Sequence, residues 1–238
     1  MNEGKTIPIV IGVTGHREIA EQDRAAILTS VTAELKKLQE LCPHSELVML
    51  SSLAEGGDLL CADVAEALGI PLIAILPREQ QDYEKDFTET GAKKLSHHIV
   101  HARRVLIVPR SEPLPQKGPT RNWQFRQAGI YIGTRCHVLL ALWDGGPGTE
   151  AACGTAETIG FALGGGYEQE KSIVSNSEKP GVVIHIFTPR HGRNESPAGA
   201  VHYLGNETAA KEMLRKIDEL NASAARNTDD HSSDQTVI

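Results

Sequence analysis

The feature that most constrains this chain is an alternation: short runs of β-branched and aliphatic residues recur between longer stretches with helical spacing of apolar residues. That pattern marks βαβ units and a parallel sheet covered on both faces. Strands are predicted at Ile7–Val13, Leu47–Leu50, Ile70–Leu76, Arg104–Val108, His137–Trp143 and Val182–Phe187. Between them, Glu21–Leu41 carries Ile27, Val31, Leu35, Leu38 and Leu41 near helical spacing, and Asp58–Leu68 forms a helix stopped by Gly69. Residues 78–100 read as charged and mostly helical, Asn122–Arg135 and Ala156–Leu163 as helices, and Glu207–Leu220 as a last helix after a loop.

Five Pro and Gly residues between Pro109 and Thr120 predict a surface loop. No internal repeat is visible. The expected architecture is a Rossmann-like three-layer α/β/α domain with a mainly parallel central sheet, spanning 1–205. A C-terminal helix at 206–222 and a disordered polar tail at 223–238 follow.

Composition narrows the function classes. Of 238 residues, 40% are hydrophobic and 23% charged, which is the range of ordinary globular chains. Only 4% are aromatic, so the core is built from Ile, Val, Leu and Ala, with few rings for stacking bases. A formal net charge of -7 argues against general affinity for duplex nucleic acid, which depends on neutralising phosphates. The longest apolar runs, Ile70–Leu76 and Val138–Trp143, are far shorter than the roughly 20 residues of a membrane helix, and the N-terminus is no signal peptide, so a cytoplasmic protein is expected. Cys42, Cys61, Cys136 and Cys153 lie far apart with no C-x-x-C pair and read as reduced, buried thiols.

In an open parallel sheet, ligands bind beyond the carboxyl ends of the strands, where helix N-termini offer backbone N–H groups. Three loops are unusual there. Gly12-Val13-Thr14-Gly15-His16-Arg17 combines glycines for close backbone approach with the Thr14 hydroxyl and the donors of His16 and Arg17. Ser51-Ser52-Leu53-Ala54-Glu55-Gly56-Gly57-Asp58 offers two hydroxyls; Asp58 is placed to cap the next helix, and Glu55 to accept from a ribose hydroxyl or to orient Arg17. Asp144-Gly145-Gly146-Pro147-Gly148-Thr149, with Cys153-Gly154-Thr155-Ala156-Glu157 after it, puts dense glycine beside the positive end of a helix. Together these loops suit one phosphorylated nucleoside.

The same pieces resemble the SLOG superfamily, the Rossmann-like group that includes DNA-processing proteins and the LONELY GUY nucleotide phosphoribohydrolases. The resemblance rests on G-V-T-G-H-R at 12–17, L-A-E-G-G-D at 53–58, and the block from Arg126-Gln127-Ala128-Gly129 through Leu140-Ala141-Leu142-Trp143-Asp144-Gly145 to Gly154-Thr155-Ala156. It covers residues 7 to 190 and is closest to stand-alone bacterial SLOG proteins and sensor domains. It implies a nucleotide, NAD-related or ADP-ribose-like ligand with phosphates on the first and third loops, bound by a sensor or signalling protein.

The phosphoribohydrolases of that group carry P-G-G-x-G-T-x-x-E, whose Glu, with an upstream Arg, cleaves the N-glycosidic bond. Here Asp144 precedes the glycine pair, Ala152 stands at the Glu position after Gly148-Thr149, and Glu157 falls one place early after Gly154-Thr155. One residue is about 100° of helix rotation, so Glu157 is expected to point elsewhere, although Arg126 matches the Arg. Binding without turnover is the reading; the alternative is an N-glycoside hydrolase using Glu157 or Glu55 with Arg126, and a third possibility is an assembly subunit whose glycine loops are structural.

No cofactor and no metal are expected. The expected partners are a nucleotide-type small molecule, together with further copies of the chain or a separate effector protein; membrane and duplex nucleic acid are set aside. His97, His98 and His101 have metal-compatible spacing, but no nearby acid in the sequence completes a ligand set, and Lys93, Lys94, Arg103 and Arg104 surround them. The acidic run Glu79–Glu89 reads as a solvated face, and His185, His191 and His202 have no evident partners. Trp123 is a minor candidate for base stacking.

Overall fold

A computed structural model describes residues 6–109, 120–147, 154–164, 181–190 and 196–233. The elements, in chain order, are β1 (Ile9–Gly15), α1 (Glu21–Leu41), β2 (Leu47–Ser51), α2 (Gly57–Ala67), β3 (Leu72–Leu76), α3 (Gln80–Tyr83), α4 (Glu89–His101) and β4 (Arg104–Ile107). They continue with α5 (Thr120–Arg135), β5 (Val138–Trp143), α6 (Thr155–Ala162), β6 (Val182–Phe187), β7 (Val201–Gly205) and α7 (Glu207–Ser233). The seven strands form one sheet in the order β4-β3-β2-β1-β5-β6-β7. All neighbours pair in parallel except β6 and β7.

The five inner strands are mainly aliphatic because both of their faces are covered. On one face Ile9, Ile11 and Val13 of β1 share a core with Ile27, Val31 and Leu35 of α1, Leu60 and Val64 of α2, and Leu214 of α7. On the other, Leu50, Ile75, Leu139, Ala141 and Val183 meet Ala128 and Ile132 of α5 and Ile159 of α6. Alternation of side chains along each strand thus feeds two separate cores. This is the expected three-layer α/β/α architecture.

Several boundaries depart from the sequence expectations. β1 begins at Ile9 and runs on to Gly15, because Thr14 and Gly15 still pair with Ala141 and Leu142 of β5. Residues 78–100 break into α3, a 3-10 turn at Glu84–Asp86, and α4, whose Thr88 accepts from Gly91 N–H as the N-cap. The stretch read as a loop before the last helix contains β7, an exposed antiparallel edge strand with His202 and Tyr203. Paired on one side only, it needs no continuous apolar run and left no strand pattern to read.

The last helix continues to Ser233, past the expected limit at 222 and into the stretch expected to be a disordered tail. Ala222, Ala224 and Ala225 supply helix propensity there without apolar periodicity. Residues 234–238, the segment 110–119 of the Pro-rich loop, Gly148, Thr149, Ala152, Cys153 and His191 lie outside the described residues.

α7 also fastens the start of the chain. Asn221, 2% exposed, accepts from Ile7 N–H at 2.8 Å and donates to Ile7 O at 2.9 Å and to Ser45 Oγ at 2.8 Å. One turn earlier, Asp218 accepts from His44 N–H and Ser45 Oγ, each at 2.8 Å.

Candidate functional site

The chain leaves β1 toward β2, β3 and β4, then returns to place β5 and β6 on β1's other side. The strand order therefore reverses between β1 and β5, and beyond the carboxyl ends of such a pair an open α/β sheet leaves a crevice. A cavity of about 480 Å³ lies there. Its walls include Thr14, Gly15, His16 and Arg17 from the first loop, Ser52, Ala54 and Asp58 from the second, and Asp144, Gly146, Pro147, Gly154 and Thr155 from the third. Ser51, Glu55, Gly56, Gly145, Arg126 and Glu157 do not line it.

The first loop is locked to its neighbours by backbone. His16 N–H donates to Leu142 O at 3.0 Å, and Gly57 N–H donates to His16 O at 2.9 Å. Gly56 has φ of 91°, and a Cβ there would lie 2.1 Å from Arg17 O, so this glycine shapes the loop rather than touching a ligand.

His16 is buried with Nε2 3.0 Å from Asp144 N and 3.1 Å from Asp144 Oδ1. One nitrogen cannot accept from the amide and donate to the carboxylate at once. Burial, then the Arg190 charge, lower the His16 pKa, which favours a neutral ring whose Nε2 accepts the Asp144 N–H. The expected phosphate donor is thus a latch between the first and third loops through that nitrogen. Asp144 Oδ1 accepts from Gly146 N–H at 3.0 Å; burial raises the carboxyl pKa, but this bond helps to hold it below the usual range.

Arg17 is the half-exposed cation of the set. Its guanidinium lies 5.9 Å from the Phe87 ring centre and 5.5 Å from that of Phe125, and it donates to Asp86 O at 3.2 Å. Its side chain is 41% exposed, so it keeps access to the crevice.

In the second loop Asp58 is not the helix cap; Gly56 holds that position and Asp58 sits inside the first turn of α2. Its buried carboxylate accepts from Ser52 Oγ at 2.8 Å and Ala54 N–H at 3.3 Å, with Ser51 Oγ at 3.5 Å. Burial nevertheless pushes its pKa up to about 6. Ser51 is spent on the loop itself, its Oγ accepting from Leu53 N–H at 3.0 Å.

Glu55 faces away from the crevice, correcting its expected role toward ribose or Arg17. It accepts from Thr88 N–H at 3.0 Å and from the Thr88 hydroxyl, extending the cap of α4. Its partner is 33 residues distant, beyond any local pattern.

The third loop brings Gly154, the N-cap of α6, and Thr155 to the wall, so the first N–H groups of that helix open on the crevice. Glu157 turns elsewhere. Arg126 Nε donates to Glu157 Oε1 at 2.7 Å, with the guanidinium 5.4 Å from the ring centres of both Trp123 and Phe161. Glu157 Oε2 is buried without a hydrogen-bond partner.

The structure adds wall residues that were not site candidates in the sequence: Phe125, Gly129, Ile132, Trp143, Thr158 and Arg190. Trp143, rather than Trp123, lines the crevice. Arg190 follows β6 by three residues; its place beyond a carboxyl strand end was the only signal available.

No family model and no curated protein matches the chain. Solved structures that align with it include two DNA-processing proteins. One is DNA processing protein A from Streptococcus pneumoniae, at 22% identity and a TM-score of 0.37, covering 57% of this chain and 41% of that one. The other is DNA processing protein A from Helicobacter pylori, at 15% identity and a TM-score of 0.45, covering 92% of this chain and 81% of that one. The present chain thus spans less than half of the Streptococcus pneumoniae protein.

The Helicobacter pylori protein is described by its single-stranded DNA binding mode. The expected partners, a nucleotide-type small molecule with duplex nucleic acid set aside, are corrected against this finding, since that protein's partner is nucleic acid and not a small molecule. A whole-chain charge of -7 does not describe a crevice whose wall sets Arg17 and Arg190 beside Asp58 and Asp144. Among the described residues, no helix is long and apolar enough to cross a membrane.

Proposed function

We propose that the crevice between β1 and β5 binds one nucleotide unit, phosphate first. The observation that carries this reading is the convergence of Arg17, Arg190 and the N-terminus of α6 on one cavity at the switch point of the sheet. Thr155 adds a hydroxyl, while Trp143 and Phe125 give the base a flat apolar wall. A volume of about 480 Å³ is within the usual range for ligand pockets.

The SLOG resemblance implies a nucleotide-derived ligand of the NAD or ADP-ribose kind. An end of single-stranded nucleic acid presents the same phosphate, ribose and base, so the test separates the two. Binding without turnover, in a sensing role, is favoured by the carboxylates: Glu157 is held by Arg126 outside the cavity, and the wall carboxylates Asp58 and Asp144 are already hydrogen-bonded.

The experiment is a titration followed by tryptophan fluorescence and melting temperature, using a short single-stranded oligonucleotide, AMP, NAD and ADP-ribose, with chromatography for released base. Binding of at least one ligand is expected, weakened about tenfold or more in Arg17→Ala and in Arg190→Ala, with no base released. Absence of any response at millimolar ligand, or binding indifferent to both substitutions, overturns the reading.

A further inference from the structure

Outside the crevice, α2 and α4 assemble a ligand set that their sequences keep apart. His97 and His98 lie on α4, and α2 sets Glu66 and Asp63 against them. His97 Nε2 is 2.9 and 3.0 Å from the two oxygens of Glu66. His98, buried to 3% exposure, has Nε2 2.9 Å from Asp63 Oδ1 and Nδ1 3.9 Å from Glu66 Oε2. Ligand atoms of Glu66, His97 and His98 all lie within 4.8 Å of one another.

His98 is held between two acids, with one ring nitrogen on Asp63 and the other turned to the side of Glu66. An acid holding the far N–H of a ligating imidazole is the usual support of a metal-bound histidine. In a tetrahedral zinc site with bonds near 2.1 Å, neighbouring ligand atoms are about 3.4 Å apart, and the separations of 2.9 and 3.9 Å bracket that figure.

The cations that crowd these histidines in the sequence are mostly taken by other acids. Lys93 pairs with Glu89 at 2.7 Å, Lys94 with Asp63, and Arg103 with both oxygens of Glu46. Arg24 also lies 3.9 Å from Asp63. The positive charge therefore falls on the orienting acid and not on Glu66.

We propose that Glu66, His97 and His98 bind a divalent transition-metal ion such as Zn²⁺, with Asp63 as positioning residue and water completing the coordination. Glu66 and His97 are half-exposed, so the ion exchanges with solvent, and when bound it ties α4 to α2.

The test uses tag-free full-length protein stripped with a chelator and titrated calorimetrically with Zn²⁺, with Mg²⁺ as the control. One equivalent of Zn²⁺ is expected, a raised melting temperature, no Mg²⁺ response, and a Co²⁺ visible spectrum of a nitrogen and oxygen site. Glu66→Gln and His97→Ala, at half-exposed positions, should each weaken Zn²⁺ tenfold or more while melting like wild type in chelator. Asp63→Asn should weaken it roughly 10- to 100-fold and shift the Co²⁺ bands.

His101, whose ring is 4.4 Å from that of His97, is the rival ligand, and His101→Ala should leave the affinity within twofold. No Zn²⁺ binding, or binding indifferent to Glu66→Gln, or loss in His101→Ala with retention in Glu66→Gln, overturns the proposal.

Discussion

Gly15 and Gly57 meet backbone to backbone: a Cβ on Gly15 would lie 2.9 Å from Gly57 Cα, and one on Gly57 would lie 2.9 Å from Gly15 Cα. The first loop and the start of α2 therefore touch with no side chain between them. Gly57→Ala should cost about 1–3 kcal/mol, because only backbone can move aside. Thermal melts should show the loss, and nucleotide binding should weaken with it; an unchanged melting temperature would mean that the loops yield freely.

The Arg17 guanidinium lies within 6 Å of the ring centres of both Phe87 and Phe125, so its shape matters as well as its charge. Arg17→Lys keeps the cation but loses the planar guanidinium. Its ligand affinity should fall between those of wild type and Arg17→Ala, and titrations at two salt concentrations should show similar salt slopes for Arg and Lys.

The pair of Arg126 and Glu157 is expected to support structure rather than chemistry. Glu157→Gln weakens a partly buried ion pair and should lower the melting temperature by a few degrees, corresponding to about 1–3 kcal/mol, while ligand affinity stays within twofold. A large loss of binding with unchanged stability would return Glu157 to the site.

The pKa of Asp58 rises from 3.8 to about 6 on folding, so the folded chain takes up a proton before the unfolded one does. This group adds stability as pH falls from above 6 toward 3.8 and withdraws it as pH rises. Asp58→Asn should therefore melt higher than wild type at pH 8, with the advantage gone near pH 4.5. Equal differences at both pH values would place the proton elsewhere.

His16 works in the opposite sense. Its folded pKa lies below 6.5, so the unfolded chain binds the proton first and the latch to Asp144 loses stability as pH falls through that value. His16→Gln should flatten this acid limb in melts between pH 7.5 and 5, and a limb of unchanged steepness would count against the latch.

What was legible in the sequence follows from the range of the interactions. β5 reads directly because Val138–Leu142 are all buried, and continuous burial demands a continuous aliphatic run. The three glycine-bearing loops read because a strand end followed by glycine is a local pattern. β7 is paired on one side and exposed on the other, so its composition carries little strand signal. The roles of Glu55 and Glu66 are set by Thr88 and His97 on distant segments, and Arg190 reaches the wall only through the crossing of the chain to β6.

The clasp of Asn221 on Ile7 has a topological consequence. It brings the backbone near the start of β1 to a point 214 residues further on, so the path is almost a ring, joined on the side of the sheet opposite the crevice. A circular permutant that links the two sides of this join and opens the chain in a surface turn would keep every crevice wall intact.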